Sequence, residues 1–264
     1  MEEALPPMSP PDLLIRLILP VLLVTVLSGC ASSGGSRSGK GGDTAEAVRL
    51  NIQLAQGYMQ RGDDETALDR LQRAERLDPR SAEVQTLLGF LYERIRRPEQ
   101  AERHYRRSVD LAPETGSVLN NYGSWLCRNG QAADSDRWFQ RALDDPFYKT
   151  PESALLNAGA CAVQAGSPER AETYFRRLLE LRPDSAEALE NLARLNFDKG
   201  NYLSARAFWQ RREVLPVEDP VLLDLAARIE AALGNEEGAR RYRQRLAAEH
   251  PDFAPAAPDS DSRP

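Results

Sequence analysis

A recurrence at 34 residues limits what this chain can fold into more than any other feature. Small residues Ala55, Gly89, Gly123, Gly159, Ala193 and Ala227 are each followed seven places later by a turn residue: Gly62, Arg96, Gly130, Gly166, Gly200 and Gly234. A further small residue comes twelve places after the first set, at Ala67, Ala101, Ser135, Ala171, Ala205 and Ala239. Successive intervals are 34, 34, 36, 34 and 34, so one two-residue insertion interrupts the period. Such a period marks an array of units that cannot bury their apolar faces alone and gain burial by stacking. It offers an extended surface for other proteins rather than an enzyme cleft.

The spacing has a steric cause. Where the two antiparallel helices of a unit cross closely, only Ala, Gly or Ser lets the backbones meet, and bulky Leu71, Tyr105, Phe139, Phe175 and Trp209 fill the space alongside. Pro79, Pro113, Pro183 and Pro251 are expected to end second helices, because Pro cannot donate into the helical ladder and restricts the residue before it. Pro98 and Pro168 fall just after the internal turn, where a first-turn Pro costs no hydrogen bond. Each half-unit is then a helix of about 12–15 residues.

These residues resemble the tetratricopeptide repeat across residues 46–251. The resemblance implies an all-α superhelical solenoid of about six helix-turn-helix repeats over residues 45–251, with units near 48–81, 82–115, 116–151, 152–185, 186–219 and 220–251. The sixth unit departs from the pattern, with Arg243 in the aromatic place and Glu230 in a usually apolar one. A polar outer helix suits a terminal cap.

Ahead of the array, Leu17–Leu27 is an apolar run too short to span a membrane, and it ends in Leu27-Ser28-Gly29-Cys30. This arrangement resembles the bacterial lipobox. It implies a signal peptide over residues 1–29, removed before Cys30, which is then the lipidated first residue, held by three acyl chains where one would be marginal. Ala31 after the Cys favours, by the same resemblance, the outer membrane, with the chain facing the periplasm. Glu2, Glu3 and Asp12 are unusual for a leader, and a start at Met8 would remove two of them. Residues 30–44 read as a flexible Gly/Ser linker and residues 252–264 as a disordered tail rich in Pro, Asp, Ser and Ala.

The chain carries 34 Lys and Arg against 40 Asp and Glu; without Arg16, Glu2, Glu3 and Asp12 of the leader, 33 remain against 37, a net charge near −4. That balance argues against general nucleic-acid binding. Gly34–Lys40 has the glycine and lysine spacing of a phosphate loop, but Gly41 stands where a magnesium-binding hydroxyl belongs and no strand precedes it. His104 and His250 lack ligands at metal spacing and read as solvated helix residues. No nucleophile motif and no convergent carboxylate pair stand out, so the sequence predicts no enzyme, cofactor, metal or small-molecule substrate.

Cys127 and Cys161 remain once Cys30 is set aside, an even number for an oxidising compartment. They lie three and five residues before their turn glycines, and two residues rotate a helix by about 200°, which aims the thiols from opposite sides. A bridge is geometrically reasonable and would remove roughly 4 kcal/mol of unfolded-state freedom. The other reading is two small thiols packed between helices.

The middle units hold the most distinctive text: Leu119-Asn120-Asn121-Tyr122-Gly123, Leu126-Cys127, Asp145-Pro146-Phe147-Tyr148 beside the insertion, and Gly159-Ala160-Cys161. On a six-repeat lipoprotein this combination resembles the PilW/PilF family of type IV pilus biogenesis and stability proteins. The resemblance implies a non-catalytic pilotin that helps the pilus secretin reach the outer membrane and form its ring, and that pilus formation and twitching motility require. A general periplasmic adaptor in outer-membrane protein assembly or cell-wall synthesis is the alternative, with another envelope protein as partner. By repeat position the partner-facing row comprises Gln56, Met59 and Gln60, then Phe90 and Arg94, then Asn120, Ser124 and Arg128. Phe90 is the leading anchor, unless it packs between helices, and Asn121 is expected to brace a neighbouring backbone.

Overall fold

The computed structural model describes residues 40–215 and 219–254. The lipobox, Cys30, most of the linker and residues 255–264 lie outside the described residues. Among the described residues there are twelve helices and no strand. In six successive hairpins they are α1 (Lys40–Gln60) and α2 (Asp64–Leu77), α3 (Ala82–Arg94) and α4 (Pro98–Leu111), α5 (Gly116–Arg128) and α6 (Ala132–Leu143), α7 (Pro151–Gln164) and α8 (Pro168–Leu181), α9 (Ala186–Asp198) and α10 (Tyr202–Glu213), and α11 (Pro220–Ala232) and α12 (Glu236–Glu249). The unit that carries the array begins at Ala47. Residues 40–44, expected in a linker, are already helical.

Each hairpin turn is made by one residue in the left-handed region. Five are the expected glycines, with φ between 69° and 80°, and the sixth is Arg96 at φ 58°. The small residues of the first helices meet the bulky fillers directly. A methyl group on Gly89 would lie 2.9 Å from the Tyr105 ring, one on Gly123 3.1 Å from Phe139, and one on Gly159 2.5 Å from Phe175. All three rings are buried. Where the filler is the smaller Leu71, the partner position is Ala55, and both are fully buried in the first-unit core.

The prolines do more than stop helices. Arg107, Arg141 and Arg211 each donate through Nη2 to the carbonyl of the proline 28 residues earlier, Pro79, Pro113 and Pro183, at 3.1, 2.6 and 2.8 Å. The second helix of a unit is thereby tied to the connection that enters that unit, and this occurs in the second, third and fifth units. Adjacent units are also joined by charged pairs: Arg94 with Asp64 at 3.0 Å, Arg170 with Asp136 at 3.1 Å, and Lys199 with Glu172 at 3.0 Å.

Consecutive first helices touch directly, as α3 with α5, α5 with α7 and α9 with α11, whereas second helices make no more than marginal contact with one another among the described residues. The stack therefore leans toward its first helices, which form the inner wall. Cys127 on α5 and Cys161 on α7 are joined across two units, with Cα atoms 5.8 Å apart, inside the usual range for a bridge.

The sixth unit corrects two expectations. Glu230 does not lie on a polar outer face; it is buried against the fifth unit, where both carboxylate oxygens accept from the Arg206 guanidinium and Oε2 also accepts from Asn235 at 2.6 Å. The aromatic missing at Arg243 is supplied one place earlier by Tyr242. Its ring stands edge-on to Trp209, its hydroxyl accepts from the indole N–H at 2.9 Å, and it donates to Glu213 at 2.7 Å. Burial, with Glu213 adding to it, pushes this phenol up to about 12. The tail is ordered at its start, since Phe253 packs on the core of the last units.

His104 is likewise not a solvated residue. Its ring is half-buried, stacked on Tyr92 at 5.1 Å, and its Nδ1 lies 2.7 Å from Oε1 of the buried Gln85, whose Nε2 donates to Glu75. Burial holds the imidazole below its ordinary value.

Candidate protein-binding site

The inner wall is built from first helices whose small residues are turned toward the fillers, which leaves other positions of the same helices to face outward. Gln56 and Gln60 are exposed. Phe90 is 45% exposed, so its ring is not consumed by packing. Arg94 is exposed at its tip and pairs with Asp64 of the preceding unit. Arg128 grips Glu93 with two hydrogen bonds of 2.7 and 2.9 Å, and Glu93 also accepts from the Tyr105 hydroxyl at 3.2 Å. Burial raises the Tyr105 phenol well above its usual range, with Glu93 reinforcing the shift. These two cross-unit pairs fix Glu93 and Arg94, three and four places after Phe90 on α3.

Three predicted residues do not belong to the free surface. Met59 is buried in the core of the first unit, because it lies four places after Ala55 on the packed face of α1. Asn120 and Ser124, also four apart, are buried because α5 and α7 approach closely. Asn120 accepts from the Asn157 side chain at 3.1 Å and so performs the bracing expected of Asn121, which is exposed instead.

Sequence reading missed an apolar stripe at the start of the array. Leu50 is 53% exposed and Leu54 36%. At the same repeat positions the later units hold Val84 and Leu88, Val118 and Tyr122, Ala154 and Ala158, Ala188 and Leu192, and Leu222 and Ala226, all buried against the unit before. Among the described residues no unit precedes α1, so its interface face is left open. The signal was available: two leucines of the first repeat stand in register with positions that the later repeats use as interface. At the other end, Phe253 borders a cleft of about 510 Å³ with Arg194, Asp198, Asp224 and Arg228 of α9 and α11. In the third unit, Phe147 projects from the connection after α6 with 87% of its surface exposed.

Comparison with known proteins agrees with this architecture. Tetratricopeptide-repeat family models match residues 82–115 and 156–214, and a TPR repeat model matches residues 55–95. The chain is 30% identical over 198 residues to the type IV pilus assembly protein PilF of Pseudomonas aeruginosa, covering 74% of this chain and 78% of that protein. The crystal structure of PilW, described as a widely conserved type IV pilus biogenesis factor, superposes with a TM-score of 0.70 at 30% identity, over 78% of this chain and 94% of PilW. The structure of Pseudomonas aeruginosa PilF gives a TM-score of 0.73 at 26% identity, over 80% and 95% of the two chains. On that extent of shared sequence and fold, the chain belongs to the PilF/PilW family of type IV pilus tetratricopeptide-repeat proteins.

Proposed function

We propose that this chain is a non-catalytic pilotin, an outer-membrane lipoprotein anchored through Cys30 that delivers the type IV pilus secretin and promotes its assembly into a multimer. Membership of a pilus biogenesis family supports the pathway. The observation that carries the binding role is the open face of the first unit. Leu50 and Leu54 present to solvent the positions that five other units bury, so a partner segment with a helical apolar face would find there the contact that the array itself uses repeatedly. Covering the exposed parts of the two leucines is worth roughly 1 kcal/mol each, and Phe90 with Gln56 and Gln60 extends the contact along the inner wall.

The test has two parts. Cys30→Ala is expected to leave the secretin largely monomeric and outside the outer membrane, and full multimers in that strain would overturn the anchoring role. Leu50→Gln with Leu54→Gln is expected to abolish co-purification of the secretin with the lipidated protein while leaving helical content unchanged, because both side chains are already exposed. Undiminished co-purification would remove the first unit from the binding surface.

A further inference from the structure

The insertion between the third and fourth units is a built platform rather than slack chain. Residues 144–150 connect α6 to α7, where the connections after the first, second and fourth units are the shorter 78–81, 112–115 and 182–185 and that after the fifth is 214–219. Asp145 organises it: Oδ2 accepts from the backbone N–H of Gly116 at 2.8 Å, and Oδ1 accepts from that of Phe147 at 2.9 Å. It thus caps α5, whose own N-cap residue Thr115 makes no side-chain cap bond, and it fixes the backbone that carries Phe147. Tyr148 anchors the other side. Its ring lies so close over Gly116 that a methyl group there would be 2.6 Å from Tyr148 Cγ and 2.8 Å from the Ala142 carbonyl oxygen.

Asp145 and Tyr148 thus fix the backbone on both sides of Phe147, whose ring is the most exposed large apolar side chain among the described residues. A rigid, outward aromatic has already lost the backbone freedom that binding would otherwise cost. Beside it opens a cleft of about 820 Å³ bordered by Pro113, Glu114, Arg141 and Asp144. The one cation there is occupied, since Arg141 donates to the Pro113 carbonyl and lies over the Trp138 ring at 4.9 Å. Glu114, Asp144 and Asp145 make the cleft side of the ring negative, while the exposed Lys149 lies with Ser117 and Thr150 on its other side. An anionic lipid surface is therefore disfavoured, and a positively charged polypeptide is attracted.

We infer that Phe147 and the acidic cleft beside it form a second docking point, separate from the first-unit surface, for an extended segment of a partner protein in which an apolar residue is flanked by Lys or Arg. The ring is the anchor and Glu114 and Asp144 set the charge preference.

The full mature chain is used to select from a displayed library of random short peptides, with the Phe147→Ala variant as the subtractive control. Because the ring covers almost nothing, this variant keeps the native melting temperature. The expected result is enrichment of peptides that place an apolar residue next to Lys or Arg. Their affinity, measured by fluorescence anisotropy, should fall at least ~10-fold with Phe147→Ala and with Glu114→Lys plus Asp144→Lys, recover with Phe147→Trp, and survive Leu50→Gln plus Leu54→Gln. Failure to enrich any peptide, enrichment of acidic ones, or equal binding by Phe147→Ala would overturn the inference. So would Phe147-dependent binding to phosphatidylglycerol vesicles, which would assign the ring to a membrane.

Discussion

Gly159→Ala is the sharpest probe of how the units close. Alanine gains about 1 kcal/mol over glycine inside a helix, so on propensity alone the change stabilises. At position 159, however, the new methyl would lie 2.5, 2.7 and 2.8 Å from three carbons of the Phe175 ring, which is fully buried and has nowhere to go. Overpacking of this kind costs about 1–3 kcal/mol, leaving a net destabilisation of roughly 1 kcal/mol. Gly123→Ala is the control, since its nearest contacts to Phe139 are 3.1 and 3.3 Å, where a small ring shift suffices and gain and cost nearly cancel. Thermal unfolding of the two variants should separate by about 2–4 °C per kcal/mol. The Ala55 and Leu71 pair of the first unit supplies the remedy. Adding Phe175→Leu to Gly159→Ala should cost less than the two changes summed, by about 1 kcal/mol or more in a double-mutant cycle. A Gly159→Ala protein more stable than the parent, or a cycle with no coupling, would refute the claim that small residue and filler are chosen as a pair.

Arg96→Gly should raise stability by up to about 1 kcal/mol, seen as a higher melting temperature, because Arg96 holds φ 58°, a conformation disfavoured for a residue with a side chain. Reduction, or Cys127→Ser with Cys161→Ser, should lower stability by roughly 4 kcal/mol, and unchanged melting in reductant would count against the bridge's contribution. Arg206→Ala strands the buried Glu230 carboxylate and should cost roughly 3 kcal/mol, with Glu230→Gln partly rescuing it in the same denaturant titration. Burial keeps the His104 imidazole below its ordinary value, with Glu75 opposing the shift and Arg103 and Arg107 adding to it. Its contribution is complete above the unfolded value near 6.5 and is lost as pH falls toward the lower folded value, so the pH dependence of melting in that window should flatten in His104→Gln.

The repeat was readable because its constraints are local. A left-handed turn and a close helix crossing each demand a residue type at one position, and both recur at a fixed interval. What the sequence hid depends on partners from other units. The repeat pattern places Asn120 and Ser124 outward, yet helix α5 comes near enough to α7 to bury both. Glu230 looked like a solubilising change because its counter-charge, Arg206, sits 24 residues away on another unit. The Arg107, Arg141 and Arg211 ties to proline carbonyls were invisible for the same reason. Backbone acceptors carry no sequence signal, and only the three-dimensional stack shows that a helix-ending proline turns its carbonyl toward the arginine.

The two ends of the array differ in a way that bears on function. An array needs its terminal interfaces closed by polar residues or by extra chain. At the last unit this is met: Phe253 returns onto the core, the Tyr242 hydroxyl accepts from the Trp209 indole and donates to Glu213, and most of the remaining outward positions of α12 are charged or polar. At the first unit the interface positions are leucines, and they stay exposed. If closure were needed only for solubility, the polar solution used at α12 would serve equally at α1. Retaining Leu50 and Leu54 keeps an adhesive face whose shape is already specified by the stacking geometry of the other five units. A partner that docks there extends the array by one more contact of the same kind, which requires no rearrangement of the fold to receive it.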